Sequence, residues 1–274
     1  MAISLDSMQM SEGSGPSIYL LYGPEGTGKT TLAAGAPKPV FIQLEDGLGR
    51  LKRMTFRNEA GELPKTYQEV DNYIGFLADQ VHDRETLVVD SVDHLEPIIW
   101  TETCRRNDWA NIETPSYGKG YDAAMVVWAE FFEGLMILKN RRRMSTILIA
   151  HSRVIRFESP MTEAYDRYTP KLHVSRAGRG ANPYFCEMVD GIFFINHRTT
   201  VVKDAAQSAA KGAIKRARGI GDGLREVYTQ QIPSCVAKNR DDMPPIVTIP
   251  DDPDGAWNAL AQFIPYYTPQ TETV

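Results

Sequence analysis

At 274 residues, with 42% hydrophobic and 24% charged side chains, the chain has the make-up of an ordinary globular domain and enough length for a full core. No apolar run approaches the roughly 18–20 residues that a membrane-spanning helix needs, and the start (MAISLDSMQMSEGSG) lacks the basic-then-apolar order of a secretion signal. Three cysteines (Cys104, Cys186 and Cys235), far apart and odd in number, make neither a disulfide framework nor a metal knuckle, so a reducing cytoplasm with no membrane partner is expected.

Residues 1–15 read as a flexible N-terminal segment. The first apolar run, residues 18–22 (IYLLY), predicts a buried strand. Directly after it, Gly23, Pro24, Glu25, Gly26, Thr27, Gly28, Lys29 and Thr30 fit the pattern G-x-x-x-x-G-K-[ST]. Such glycines let the backbone wrap closely, so that several N–H groups point at phosphate oxygens. Lys29 supplies a mobile positive charge for the β- and γ-phosphates, and the Thr30 hydroxyl suits Mg²⁺. The helix opening at Thr30 and Thr31 turns its positive end toward the anion. ATP and Mg²⁺ are therefore the expected ligands.

The next strand, residues 40–44, runs into Glu45 and Asp46 (FIQLED), where a carboxylate can orient or deprotonate the water attacking a γ-phosphate. A helix is predicted over 67–81, then a strand whose core is 87–89 and whose last residue is Asp90. Ligands of open α/β sheets gather at that end of the strands, so Asp90 joins Thr30 in holding Mg²⁺, with Ser91 in support. The helix predicted over 121–138 is apolar on almost every side, which implies deep burial or a second subunit against it. The strand at 147–150 ends in His151, within reach of a γ-phosphate, and a further strand is expected at 192–195. Residues 203–219, Ala-rich and basic, read as an inserted helix or a mobile basic loop. In the late segment VAKNR, Lys238 and Arg240 alternate on an extended strand and so face one phosphate group together.

Near-continuous apolar strands alternating with helices define an α/β fold with a mostly parallel sheet covered on both faces. Its core is expected over 16–264, with a basic insertion at about 198–223 and a flexible tail at 265–274. Net charge is −5, yet residues 139–225 hold 17 Lys plus Arg against 7 Asp plus Glu, an imbalance that points to an anionic partner there.

These motifs, in this order, resemble the RecA-like ATPase core, and most closely the phage-encoded Sak-type single-strand annealing proteins. The resemblance implies a RecA-like P-loop fold with a C-terminal antiparallel extension. It favours Glu45 over Asp46 as the catalytic glutamate, makes LVVDSVDHLEP the Mg²⁺-binding strand and its turn, and places His151 where the family carries a γ-phosphate-sensing Gln. Lys238 and Arg240 match the pair that reaches a neighbouring subunit's nucleotide, which implies self-association as a ring or filament. Two segments, about 105–120 and 153–185, stand where the family binds single-stranded DNA. Arg153, Arg156, Phe157, Arg167, Lys171, Arg176 and Arg179 mix cations with an aromatic ring, as phosphate contact and base stacking require. Single-stranded DNA and a single-strand binding protein are the implied partners, and annealing the implied activity. The rival readings are a replication or packaging motor or loader, and an ATP-gated DNA-binding switch that does not hydrolyse.

Overall fold

A computed structural model describes residues 15–45, 51–203 and 217–268. The chain opens with strand, helix and strand, and helices separate several of the later strands. β1 (Ile18–Gly23) leads through the glycine loop into α1 (Lys29–Ala34), then β2 (Pro39–Gln43), the short β3 (Met54–Thr55) and α2 (Tyr67–Asp79). β4 (Thr86–Asp90), α3 (Val92–Asn107) and α4 (Lys119–Arg142) follow, then β5 (Ser145–Phe157), β6 (Tyr165–Pro170) and α5 (Ala181–Met188). β7 (Gly191–Lys203), β8 (Ala217–Tyr228), β9 (Ile246–Ile249) and α6 (Pro253–Ala261) complete the order.

The described strands form one sheet in the order β3-β2-β4-β5-β1-β7-β8-β9, with β6 paired to β5 off this path. From β3 through β7 the pairing is parallel, whereas β8 and β9 add antiparallel strands at the C-terminal edge. A mostly parallel sheet with an antiparallel extension is the arrangement expected from the sequence.

Period-two side-chain alternation sorts each central strand between two cores. Ile18, Leu20 and Tyr22 of β1 face α2, α3, α4 and α5, together with Leu87 and Val89 of β4 and Leu148 and Ala150 of β5. Tyr19 and Leu21, with Val88, Ile147 and Ile149, face α1 and α6 on the other side. The near-unbroken apolar strands are thus explained by cover on both faces. α2 starts at a capping box, in which the Thr66 side chain accepts from Glu69 N–H and the Glu69 carboxylate reaches back. The broad apolar surface of α4 is answered within the chain: Trp128 and Phe132 pack edge-on against Phe185 of α5, with ring centroids 4.9 Å apart. Val126 and Met136 remain at the surface of that helix.

Two expectations are corrected. Lys203 and residues 217–219, read as part of an inserted helix or loop, belong to the antiparallel β7–β8 pair, and residues 204–216 lie outside the described chain. Tyr266 and Tyr267, read as part of a flexible tail, pack on the body: the Tyr267 ring meets Trp257 edge-on, and the Tyr266 hydroxyl donates to the Arg143 carbonyl. No helix among the described residues is long and apolar enough to cross a membrane.

Candidate functional site

β1 is buried along its whole length and delivers the chain to Gly23 at the C-terminal edge of the sheet. A Cβ at Gly23 would lie 2.1 Å from the Ile195 carbonyl oxygen, so only glycine lets the loop leave the sheet there. The loop is braced by the Thr27 hydroxyl, which donates to the Pro24 carbonyl at 2.9 Å, while Glu25 and Gly26 stand exposed at its apex. Gly28 takes φ +83°, the left-handed conformation that L side chains avoid, and turns the chain into α1, where Thr30 and Thr31 follow. Lys29 is buried and folds back, its Nζ donating to the carbonyls of Gly23 (3.0 Å) and Pro24 (2.8 Å). Burial lowers its pKa, against the pull of Asp90, Asp93 and Glu45.

Beneath this loop lies a residue with no local sequence signal. Arg225 of β8 is buried, pairs with Asp251 at 3.1 Å, donates to the Pro250 carbonyl, and reaches the Thr27 carbonyl at 3.5 Å. Its Nη1 occupies the space that a Cβ on Gly28 would need.

The Thr30 hydroxyl donates to Asp90 Oδ2 at 2.8 Å, joining the first helix to the end of β4. Asp90 Oδ1 is buried without a hydrogen-bond partner, and burial raises the carboxyl's pKa. An orphaned buried carboxylate oxygen beside a threonine hydroxyl and a lysine is the donor set that a Mg²⁺-bound phosphate satisfies, so the residues present fit the expected ligands.

Strand order explains the rest of the site. β5 lies between β1 and β4, and its register sets His151 opposite Gly23. His151 thereby sits between the loop and the Asp90 strand. Asp93, in the first turn of α3, accepts from the His151 backbone N–H at 3.0 Å and from its ring Nδ1 at 2.9 Å. Burial opposes the charged Asp93, yet these hydrogen bonds outweigh it and hold the carboxyl at about 2; the same contact raises the pKa of His151. Glu45 is placed where Gln43 pairs with Asp90, and the Gln43 amide fixes it by donating to its carbonyl at 2.7 Å. His94 Nδ1 stands 3.4 Å from Glu45 Oε2 and 2.7 Å from Ser91 Oγ. The structure therefore gathers Lys29, Thr30, Glu45, Asp90 and His151 at one edge of the sheet. Asp93, His94 and Arg225 were not singled out from the sequence. The first two lie three and four residues past Asp90, where a helix begun at the strand's end must point back over the same edge. Asp46 lies outside the described residues.

The other expected site residues divide. Lys238 does not face outward with Arg240. Its Nζ donates to the carbonyls of Cys186, Glu187 and Val189, closing the C-terminal end of α5, where unpaired carbonyls attract a cation. Arg240 is exposed and pairs with Asp190 at 3.1 Å. The region 153–185, expected as a long loop, is largely regular: β5 and β6 pair as a hairpin from Ser152–Pro170 to Phe157–Tyr165. Within it Arg167 is buried, with its guanidinium 4.0 Å from the Phe157 ring centre, so these two residues support the hairpin rather than offer themselves to a ligand. Arg153 is half-buried, with its Nε unpartnered. Arg156, paired with Asp166, is exposed, as are Lys171, Arg176 and Arg179. In the 105–120 region, Arg105 and Arg106 are tied to Glu102 on their own helix. A cleft lined by Pro24, Glu25, His151, Arg153, Tyr168 and Lys171 runs from the glycine loop to this hairpin. Behind it, buried Glu96 accepts from His173 N–H, and burial lifts its carboxyl to about 7.

No curated protein matches the chain. Among solved structures, the crystal structure of the RadB recombinase is similar over 89% of this chain and 91% of that one, at 16% identity and a TM-score of 0.48. Residues 16–241, from just before β1 to just after Arg240, match the AAA domain family, and the glycine loop and Asp90 lie within that span. On that match, the chain belongs to the AAA domain family.

Proposed function

We propose that the protein is a RecA-like, Mg²⁺-dependent ATPase that acts on single-stranded DNA, promoting its annealing or pairing. The carrying observation is the convergence of Lys29, Thr30 and the unpartnered Asp90 oxygen, with Glu45 and His151 beside them. In this reading Lys29 leaves the carbonyls of Gly23 and Pro24 for the β- and γ-phosphates of ATP. Thr30 and Asp90 hold Mg²⁺, which when bound neutralises phosphate charge. Glu45 orients the attacking water and takes its proton. His151, held through Nδ1 by Asp93, donates from Nε2 toward the γ-phosphate when its ring is protonated on both nitrogens, and reports the phosphate's presence along β5.

The DNA assignment rests on the cleft that joins Glu25 and His151 to Arg153 and Lys171, with Arg156, Arg176 and Arg179 exposed elsewhere in the 153–185 region. Since Lys238 is engaged on α5, Arg240 is the residue proposed to reach the nucleotide of an adjacent copy. Phosphate release measured with and without single-stranded DNA, over a range of protein concentrations, tests the reading. Turnover stimulated by DNA and by assembly is expected. Fast turnover that is indifferent to DNA and unchanged on dilution to monomer would overturn it. Glu45→Gln should abolish turnover while ATP is still bound, and full function in that variant would instead favour a switch that does not hydrolyse.

A further inference from the structure

We propose that Glu45, His94 and His151 form a binding site for one first-row transition-metal ion, distinct from the Thr30–Asp90 pair assigned to Mg²⁺. Their ligand atoms lie within 4.8 Å of one another, although the residues come from just past the end of β2, the first turn of α3 and the middle of β5. His94 Nδ1 and Glu45 Oε2 are already 3.4 Å apart. Bonds of about 2.1 Å to a tetrahedral ion set neighbouring donors roughly 3.4 Å apart, so the third ligand needs to close in by at most about 1.4 Å.

A further contact marks a built site rather than a chance cluster. Ionised Asp93 can only accept hydrogen bonds, so its 2.9 Å contact fixes the proton of His151 on Nδ1 and leaves Nε2 as the free lone pair. Metal-bound histidines characteristically have such a carboxylate on the far nitrogen. Ser91 Oγ, 2.7 Å from His94 Nδ1, would yield that nitrogen to the ion, and the two rings meet edge to face at 5.8 Å. Two imidazoles and one carboxylate select Zn²⁺, Co²⁺ or Mn²⁺ over Mg²⁺, which prefers an all-oxygen shell. Three protein ligands leave a fourth position open toward the nucleotide cleft. An ion there occupies Glu45 and His151 and so suppresses hydrolysis; that consequence, unlike the site itself, rests on the function proposed above.

The test is a Co²⁺ titration of the full-length, nucleotide-free protein in excess Mg²⁺, read by visible absorption and ions bound per chain, with Zn²⁺ as competitor. One Co²⁺ per chain, displaced by Zn²⁺, is expected. His94→Gln and His151→Ala should each weaken Zn²⁺ binding by about tenfold or more, and Asp93→Asn by a smaller factor. His94 is half exposed, so its replacement leaves the core intact. Binding unaltered in His94→Gln, a thiolate-to-metal absorption band, or displacement by Mg²⁺ would each overturn the site. In a second arm, Zn²⁺ should inhibit Mg²⁺-ATP turnover in the parent protein but not in His94→Gln. Intact Co²⁺ binding with Zn²⁺-insensitive turnover would refute the role given to Glu45 and leave the metal site standing.

Discussion

Asp93 holds His151 at two points, the backbone N–H and the ring Nδ1, with a carboxylate that is itself only 4% exposed. One side chain therefore sets both the position and the proton of the group nearest the glycine loop on β5. In Asp93→Asn, ATP affinity should stay within about threefold of the parent, while turnover or its stimulation by DNA falls on the order of tenfold to a hundredfold, as is usual for partners that orient a functional histidine. Nucleotide binding by fluorescence and turnover by phosphate release, measured on one preparation, separate the two effects.

Asp90 makes a different trade. A buried carboxylate with one oxygen unpartnered burdens the nucleotide-free fold. Asp90→Asn should raise the melting temperature of the nucleotide-free protein by about 2–4 °C, the shift that roughly 1 kcal/mol gives a chain of this size. The same variant should lose Mg²⁺-dependent turnover by about a hundredfold or more. Calorimetry without nucleotide checks the first expectation; a less stable variant would show that the carboxylate is better satisfied than its contacts indicate.

Lys238 and Arg240 should behave oppositely on dilution. Removing the Lys238 ammonium leaves three carbonyls at the end of α5 without their cation, so Lys238→Ala should destabilise the chain by about 1–3 kcal/mol at every protein concentration. Arg240→Ala loses only an exposed ion pair and should cost less than about 1 kcal/mol. Its effect should instead be on turnover, in proportion to assembly. Chemical denaturation alongside turnover at two protein concentrations distinguishes them.

Glu102 provides a test with acid. Hydrogen bonds from Arg105, joined by Arg106, pull its carboxyl from 4.5 down to about 2. A folded-state pKa below the unfolded one means that this contribution to stability is complete above about pH 4.5 and is lost as pH falls through about 2. Because Arg105 is 71% exposed, water screens the pair, and Glu102→Gln should cost about 0.5–1 kcal/mol at pH 7. Well below pH 2 the variant and the parent should unfold at the same denaturant concentration.

Local patterns were the most readable part of the sequence. The glycine loop, the strand ending in Asp90 and the central strands could be read because each depends on a few consecutive residues. The roles of Asp93 and His94 could not, since they arise only when β5 inserts between β1 and β4 and brings His151 opposite them. Arg225 is 198 residues from the Thr27 carbonyl that it supports, a separation that no motif spans. The 153–185 region misled through composition. Its arginines and glycines suggest an open loop, but Arg167 lies over Phe157 inside a hairpin, where a cation on a ring face shields the apolar surface from water. Lys238 misled through alternation: it and Arg240 are two apart, but Lys238 is drawn to the carbonyls of α5.

β5 is continuous over 13 residues, from the middle of the sheet past His151 to Phe157. The six residues beyond His151 span about 20 Å as one extended rod, with no glycine or proline to act as a joint. A tilt of the strand at the imidazole should therefore reappear, enlarged, at the tip of the hairpin. Lengthening the turn at 158–164 would leave this lever intact, whereas one residue inserted between Ser152 and Phe157 would invert every outward face beyond it and uncouple the two ends.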